Sequence, residues 1–425
     1  MTFTLLVIPL ILLLLGFPIF LVLLTTATIA FGTLMNVPAV ALHQNLFGSI
    51  NAFPLLAVPF FIYAGELMGR GSVAQRLVDF VQSGARPLRG NLGVTTVGVA
   101  TIFGAISGVS AAAVATVGKV MYPAMRRGGY PEPFAAGLIT AVGAIDIIIP
   151  PSIPMIVYGA AAEASVPRLY AAGIIPGLLI AGMIGTYVIW RAKAGGFGAG
   201  EGFSLKEFLH STKRSVWALG APAIILGGIY GGVFSPTEAA AVACVYAAII
   251  TRFVFRELTW RDILEAAGAT AVFTAQILII VACAGVFSWV LTVNQIPNAL
   301  ATTLQEYSVS PWMFLLAINI LLLLVGCFLD PLSAILLLTP LLIPMVKAVG
   351  IDVVHFGIIV TVNLAIGLFH PPFGINIFVA QSVLGIPLQT LYRGIVPFLL
   401  IYLFALGLIT YVPEISMIGV KWIYG

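Results

Sequence analysis

The chain has 425 residues, of which 61% are apolar or aromatic and 8% are charged. A soluble domain carries about a quarter charged residues, so 19 Lys and Arg with 15 Asp and Glu exclude a soluble globular protein of this length. Mean hydropathy of +1.13, together with 44 Gly and 26 Pro, points to a polytopic membrane protein with many bends, and a net charge of +4 is ordinary for one and implies no nucleic acid.

From the N-terminus, the apolar stretch Thr4 to Met35 is too long for a cleaved signal peptide and reads as retained membrane structure; Glu66 is the first charged residue. Further runs long enough to cross ~30 Å of hydrocarbon fall at about 51–68, 133–164, 168–190, 215–233, 237–255, 263–293, 354–386 and 392–413. Two more, about 91–122 and 312–345, carry interruptions. Between spans, Ser204 to Glu207 and Thr259 to Asp262 have the form of capping boxes that open interfacial helices. The 70–89 stretch carries Arg70, Arg76, Arg86 and Arg89 against Asp79. The 191–214 loop carries Arg191, Lys193, Lys206, Lys213 and Arg214 against Glu201 and Glu207, and this excess places it in the cytoplasm. Cys244, Cys283 and Cys327 lie singly in apolar runs and read as packing residues.

An internal repeat organises the chain. Gly104, Pro123, Gly129 and Pro150-Pro151 recur as Gly326, Pro344, Gly350 and Pro371-Pro372, at offsets of 222, 221, 221 and 221. Five spans separate the two Gly-rich runs, an odd number, so the copies run in opposite senses through the membrane. Inverted repeats with interrupted helices point to a secondary transporter whose site lies near the midplane. Each copy has a first break, at Ser107-Gly108 through Ser110 or at Asp330-Pro331 through Ser333, which reads as the tip of a re-entrant hairpin. Each also has a Pro-Pro break, followed by Ser152 or preceded by His370. Two prolines remove two backbone donors. The carbonyls before them are free for a cation, and the helix that follows turns its N-terminus toward an anion.

These residues resemble a family over essentially the whole chain: the large membrane subunit of TRAP transporters, the tripartite ATP-independent periplasmic uptake systems. The resemblance rests on Ser107-Gly108, Gly118-Lys119, Pro123 and Gly129-Tyr130; on Ile149-Pro150-Pro151-Ser152-Ile153-Pro154; on Pro236-Thr237-Glu238; on Phe328-Leu329-Asp330-Pro331; and on Asn363 through Gly367 before Pro371-Pro372. It implies an all-α elevator-type fold in the bacterial cytoplasmic membrane. It also implies a small four-helix membrane partner, a periplasmic substrate-binding protein, and import of an organic acid driven by sodium as coupling ion, with no cofactor. One sodium site would use Gly104, Ser107, Asp146, Ile149 and Pro151, and a second Gly326, Gly367, His370 and Phe373. Solute-facing candidates are Ser107, Gly108, Ser110, Ser152, Asp330, Ser333, Asn363 and Asn376. The family commonly has a small residue where Asp146 stands and Thr where His370 stands.

The expected divisions are 1–90 as N-terminal scaffold and interfacial arm, 91–191 as the first transport repeat, 192–270 as loop and scaffold, 271–390 as the second repeat, and 391–425 as the C-terminal helix. Each ionisable residue also has a bland reading. Asp330 before Pro331 is an N-cap with proline at the first helical position, Glu238 completes a capping box, and Lys119 can snorkel to an interface; Glu66 has no account from the sequence. Asp146 has no helix start after it, and as an intramembrane charge it is a functional candidate. If the two Pro-Pro elements meet, Asp146 and His370 share one desolvated cavity and make transport pH-dependent. Neither a His-Glu-x-x-His nor a phosphate-binding Gly-x-x-x-x-Gly-Lys pattern occurs, so no zinc peptidase or ATP-driven pump is supported. The competing reading within transport is a self-sufficient carboxylate symporter that needs no binding protein.

Overall fold

The computed structural model describes residues 2–35 and 38–425, and among these the chain is helical without a strand. The N-terminal stretch is two helices rather than one span, α1 (Thr2–Leu14) and α2 (Ile19–Leu34), divided where Gly16 turns left-handed and Pro18 lacks an N–H. Next come α3 (Ala39–Ile50) and, after a 3₁₀ turn at Phe53–Leu56, α4 (Ala57–Arg70), bent from α3 by 58°. An amphipathic arm, α5 (Val73–Ala85), leads into α6 (Asn91–Ser107) and α7 (Ser110–Arg127). The Pro-Pro region follows as α8 (Glu132–Val142), a 3₁₀ segment at Gly143–Ile147 and α9 (Ile153–Ala161).

Four long helices cross the middle of the chain: α10 (Val166–Gly195), α11 (Leu205–Tyr230), α12 (Pro236–Ile249) with a π turn at Ile250–Val254, and α13 (Trp260–Val293). After the short α14 (Ile296–Glu306), the helix pattern of α6 to α9 returns as α15 (Pro311–Gly326), α16 (Pro331–Ala348), α17 (Val353–Gly367) and α18 (Ile375–Leu384). The chain closes with α19 (Leu388–Tyr411) and α20 (Glu414–Tyr424). Among the described residues, five helices are long and apolar enough to cross a membrane singly: α10, α12 with its π turn, α13, α16 and α19; the bent α3–α4 pair is a sixth. The runs at 133–164 and 354–386 are not continuous spans, because each is cut by its two prolines. Helices α3, α14 and α20 lie outside the expected runs, their patterns being too short or too mixed to stand out by hydropathy.

Two groups of helices emerge from the packing. Helix α13 lies on α2, α3 and α4, while α12 lies on α4 and α11. In the other group α8 packs on α19, α17 on α15, α18 on α7, and α10 on α6 and α20. The groups meet where α5 and α4 touch α6 and where α13 and α14 touch α16. Helix α13 runs unbroken through residues 270 and 271, α10 through 191 and 192, and α19 through 390 and 391. Lipid is as apolar as leucine, so such helices associate by close packing of small residues. At the α8–α19 crossing a Cβ on Gly137 would lie 2.8 Å from Gly394 Cα, and one on Gly394 2.8 Å from the Pro133 carbonyl carbon.

Charged residues hold the ends. Glu66 pairs with Arg70 at 2.9 Å, and Arg70 reaches Glu265 at 3.8 Å, which links α4 to the start of α13. The Thr259–Asp262 and Ser235–Glu238 boxes are complete. Ser204 forms only half a box: its hydroxyl accepts from Glu207 N, but the Glu207 carboxylate pairs with Arg86, which also holds Glu201 at 2.6 Å. Glu257, just after the π turn, accepts from the Ser72 N–H at 2.7 Å and from the Ser72 hydroxyl, with Arg76 at 3.5 Å. Partial burial pushes the Glu257 carboxyl up, but the Ser72 and Arg76 donors outweigh it and hold it below its ordinary value.

Two outcomes follow from these contacts. Gly394→Val forces α19 off α8, costing roughly 1–3 kcal/mol of overpacking, and lowers the unfolding temperature in detergent, whereas Gly407→Ala, with open space around it, leaves it unchanged. Glu257→Gln removes stability that a depressed carboxyl supplies. That loss is complete above the ordinary Glu value of about 4.3 and disappears as pH falls through the lowered folded value, which thermal unfolding of both proteins from pH 3 to 7 reads directly.

Candidate functional site

At the first tip, α6 ends at Ser107 because Gly108 takes φ +62°, a conformation that favours glycine. A side chain there would also meet the Pro151 carbonyl oxygen at 2.9 Å, so the tip lies directly on the Pro-Pro break. Ser107 is buried, and its hydroxyl accepts from the Val109 N–H at 3.3 Å. The break beside it is wholly buried: Pro150 and Pro151 carry no N–H, and the carbonyls of Ile148, Ile149, Pro150 and Pro151 accept no backbone hydrogen bond among the described residues. Asp146 lies in the 3₁₀ segment against α6, where a Cβ on Gly104 would come within 2.8 Å of its Cα and Oδ1. Its side chain is fully buried and neither carboxylate oxygen has a hydrogen-bond partner. The Gly108 and Val109 N–H groups face it but donate instead to Gly104 O and Ser107 Oγ.

The second tip uses a different device. Asp330 caps α16, accepting from Leu332 N at 3.0 Å and Ser333 N at 3.1 Å through Oδ2 and from the Ser333 hydroxyl at 2.5 Å through Oδ1. Gly326 and Gly367 are in backbone contact, a Cβ on Gly367 falling 2.6 Å from Gly326 O. His370 is half-buried with Nδ1 3.1 Å from Cys327 Sγ, and Phe373 is exposed against Phe328 with ring centroids 5.7 Å apart. Unlike the first break, the second opens to the surface at Pro372 and Phe373.

Two cavities lie where these parts meet. The larger, about 380 Å³, is bounded by both tips, by Ile147 and Ile153 flanking the first break, and by Leu368 and Ile375 flanking the second. Its remaining wall is α13, through Phe273, Gln276, Ile277 and Ile280. The smaller, about 50 Å³, is enclosed by Gly326 to Asp330, Gly367, Leu368, Phe373 and Ile375. Asp330, Leu368 and Ile375 line both, so the two cavities share a wall. The expected span at 263–293 is present as α13, but nothing in the sequence analysis placed it at the site; the available signal was Gln276, an amide in a long apolar helix.

The candidate residues divide by their partners. Ser110 donates to Gly143 O at 2.7 Å and accepts from Asn376 Nδ2 at 2.8 Å, a bond between the first tip and the N-terminus of α18. Ser152 caps α9 and donates to Ile147 O at 2.5 Å. Asn363 is buried away from both cavities, donating to Asn319 Oδ1 at 2.7 Å, and Asn319 donates through Nδ2 to the Thr410 hydroxyl at 3.1 Å. Asp146 and His370 do not form the expected pair: the carboxylate is unpartnered and the imidazole faces Cys327. The breaks instead sit against their own hairpins, Asp146 beside Gly104 and Gly367 beside Gly326. Among the described residues no three His, Cys, Asp or Glu side chains cluster, so a transition metal has no cage of side-chain ligands.

Residues 6–415 match the family model described as tripartite ATP-independent periplasmic transporter, DctM component. The chain is 42% identical to the C4-dicarboxylate TRAP transporter large permease protein DctM of Pseudomonas aeruginosa, covering 90% of each. It is 40% identical to the isethionate TRAP transporter permease protein DctMQ of Oleidesulfovibrio alaskensis, over 90% of this chain and 60% of that longer protein. Among solved structures, the YdaH transporter of Alcanivorax borkumensis superposes with a TM-score of 0.68 at 16% identity, covering 98% of this chain and 100% of that one; this likeness concerns the fold alone.

The second tip can be tested apart from any ligand. Asp330→Ala removes three accepted bonds and costs about 1 kcal/mol or more of stability, whereas Asp330→Asn retains a capping oxygen and loses only tenths. Thermal unfolding of the two variants in detergent separates the cap from the charge.

Proposed function

The chain belongs to the DctM component family of tripartite ATP-independent periplasmic transporters, and from that premise we propose that it couples a sodium gradient to organic-acid import by an elevator movement. It is a multi-pass membrane permease subunit and not an enzyme. The observation that carries the mechanism is the convergence of both tips and the flanks of both breaks on one cavity of about 380 Å³. A size of this order suits a small solute. Broken helices are tolerated in hydrocarbon where they are enclosed by protein or line a wet cavity.

In this reading the two hairpin and break units move together against a scaffold of α1 to α5 and α11 to α13. The packing of α13 on α2, α3 and α4 supports placing it with the scaffold, although residues 271–293 fall in the second repeat by sequence division. The two repeats would be related by inversion, so that each hairpin enters from one side of the inner membrane. Ions would bind first. Asp146, Gly104, Ser107, Ile149 and Pro151 would hold one sodium ion, with the buried and unpartnered Asp146 carboxylate supplying charge beside unpaired carbonyls. Gly326, Gly367, His370 and Phe373 would hold a second at the small cavity. Its shared wall at Asp330 would then transmit ion occupancy to the solute cavity, where Gly108, Ser110 and Asp330 face the acid. Ser107, Ser152, Ser333, Asn363 and Asn376 would support these elements through their bonds to backbone and neighbours.

The remaining partners follow from the family. A small four-helix membrane subunit would cover part of the lipid-facing surface, and the additional length of the DctMQ relative leaves room for such a subunit in one chain. A periplasmic binding protein would deliver the acid. C4-dicarboxylates are the leading solute class on the name of the Pseudomonas relative.

Proteoliposomes holding the chain and its small partner should accumulate succinate or a related acid only with the binding protein and external sodium present. Uptake without the binding protein would instead favour the self-sufficient symporter. Asp146→Asn keeps the side-chain volume but removes the charge, and is expected to raise the sodium concentration for half-maximal uptake about tenfold or more. An unchanged sodium dependence would overturn the assignment of that ion site.

A further inference from the structure

The large cavity is apolar apart from three side chains, Ser110, Asp330 and Gln276. The first two are already committed. Ser110 donates to Gly143 O and accepts from Asn376, and both Asp330 oxygens accept from the first turn of α16. Gln276 alone has no hydrogen-bond partner among the described residues. It projects from α13, whose charges are confined to its first six residues, Arg261, Asp262 and Glu265. Its side chain is exposed toward the cavity, so both ends of the amide are open to a polar group of a ligand there.

Resting on the transport reading above, we propose that Gln276 contacts the solute and sets specificity among organic acids, from the α13 wall of the cavity. The amide offers two donors and one acceptor. It can therefore donate to a carboxylate or hydroxyl oxygen of the acid and accept from a hydroxyl, without the desolvation cost of a cationic side chain. Phe273, Ile277 and Ile280 beside it are apolar, so Gln276 is the one side-chain hydrogen-bonding group that α13 offers to the cavity, and a solute lacking the matching group loses that contact outright. The polar contact would thus come from a helix outside the duplicated units, and α13 would read the acid beside Gly108, Ser110 and Asp330 of the repeats.

The test compares wild type, Gln276→Leu and Gln276→Glu in the assembled three-component system, with succinate, malate, pyruvate and gluconate as probes. Expected is a rise in KM of about tenfold or more for the preferred acid in Gln276→Leu, a larger loss in Gln276→Glu through repulsion, and an altered ratio of KM values among the acids. Sodium dependence and unfolding temperature should stay at wild-type values, since the side chain faces a cavity and touches no proposed ion ligand. Equal KM values and an unchanged order of acids in Gln276→Leu, with wild type active, would overturn the role of Gln276 and leave the transport reading standing. A merely structural role would scale uptake of every acid equally and lower thermal stability, which also overturns it. Wild type inactive toward all four acids, with sodium and both partners present, would overturn the organic-acid reading and this inference with it.

Discussion

Everything in this structure answers to one constraint: within hydrocarbon, backbone N–H and C=O groups have no water to meet them. A chain of such apolarity is therefore helical, and every interruption has to be enclosed by protein. The first break meets the constraint by burial. Its 3₁₀ segment packs against α6, α7, α8 and α17, its two prolines and Ser152 are buried, and the Ser152 hydroxyl satisfies the Ile147 carbonyl. Four carbonyls around the prolines nevertheless stay unpaired among the described residues, together with the Asp146 carboxylate. Polar groups so placed are costly without a partner, which is why the ion-binding interpretation begins there.

Close approach is the second element of the design. Where a break must lie against a hairpin, glycine removes the side chain that would hold them apart, at Gly104 against Asp146 and at Gly326 against Gly367. The same device joins α8 to α19, neither of which lines the two cavities. Glycine at a helix crossing is thus no marker of function by itself. The distinction lies in what it approaches: a backbone with free carbonyls and a buried carboxylate in one case, a continuous helix in the other.

The two halves are alike in pattern and unlike in finish. The first tip turns on a left-handed glycine, the second on an aspartate cap with proline after it. The first break is sealed, while the second reaches the surface at Phe373. An exposed break can gain or lose a ligand with less disturbance than a buried one, so in the proposed cycle the two halves would have different tasks. Asp330 stands where the two cavities join, so its local capping role and a role in coupling are compatible.

The sequence alone determined the class of the protein, because apolarity and the scarcity of charge leave a helical membrane chain as the remaining solution. It also located the four interruptions, since Pro-Pro, Asp-Pro and Ser-Gly act through the few residues on either side of them, and it carried the family. It did not reveal that Thr4 to Met35 is two helices, nor that α3, α14 and α20 exist, because hydropathy averages over the bends and mixed faces that define them. Only the tertiary structure decided which polar groups are committed. Asn376 meets Ser110 across 266 residues, Asn363 turns to Asn319 instead of a cavity, His370 faces Cys327 rather than Asp146, and α13 supplies a wall that no repeat motif marks. The physical reason is range: breaks and caps are set within a turn of helix, whereas partnership across the chain depends on how whole helices pack.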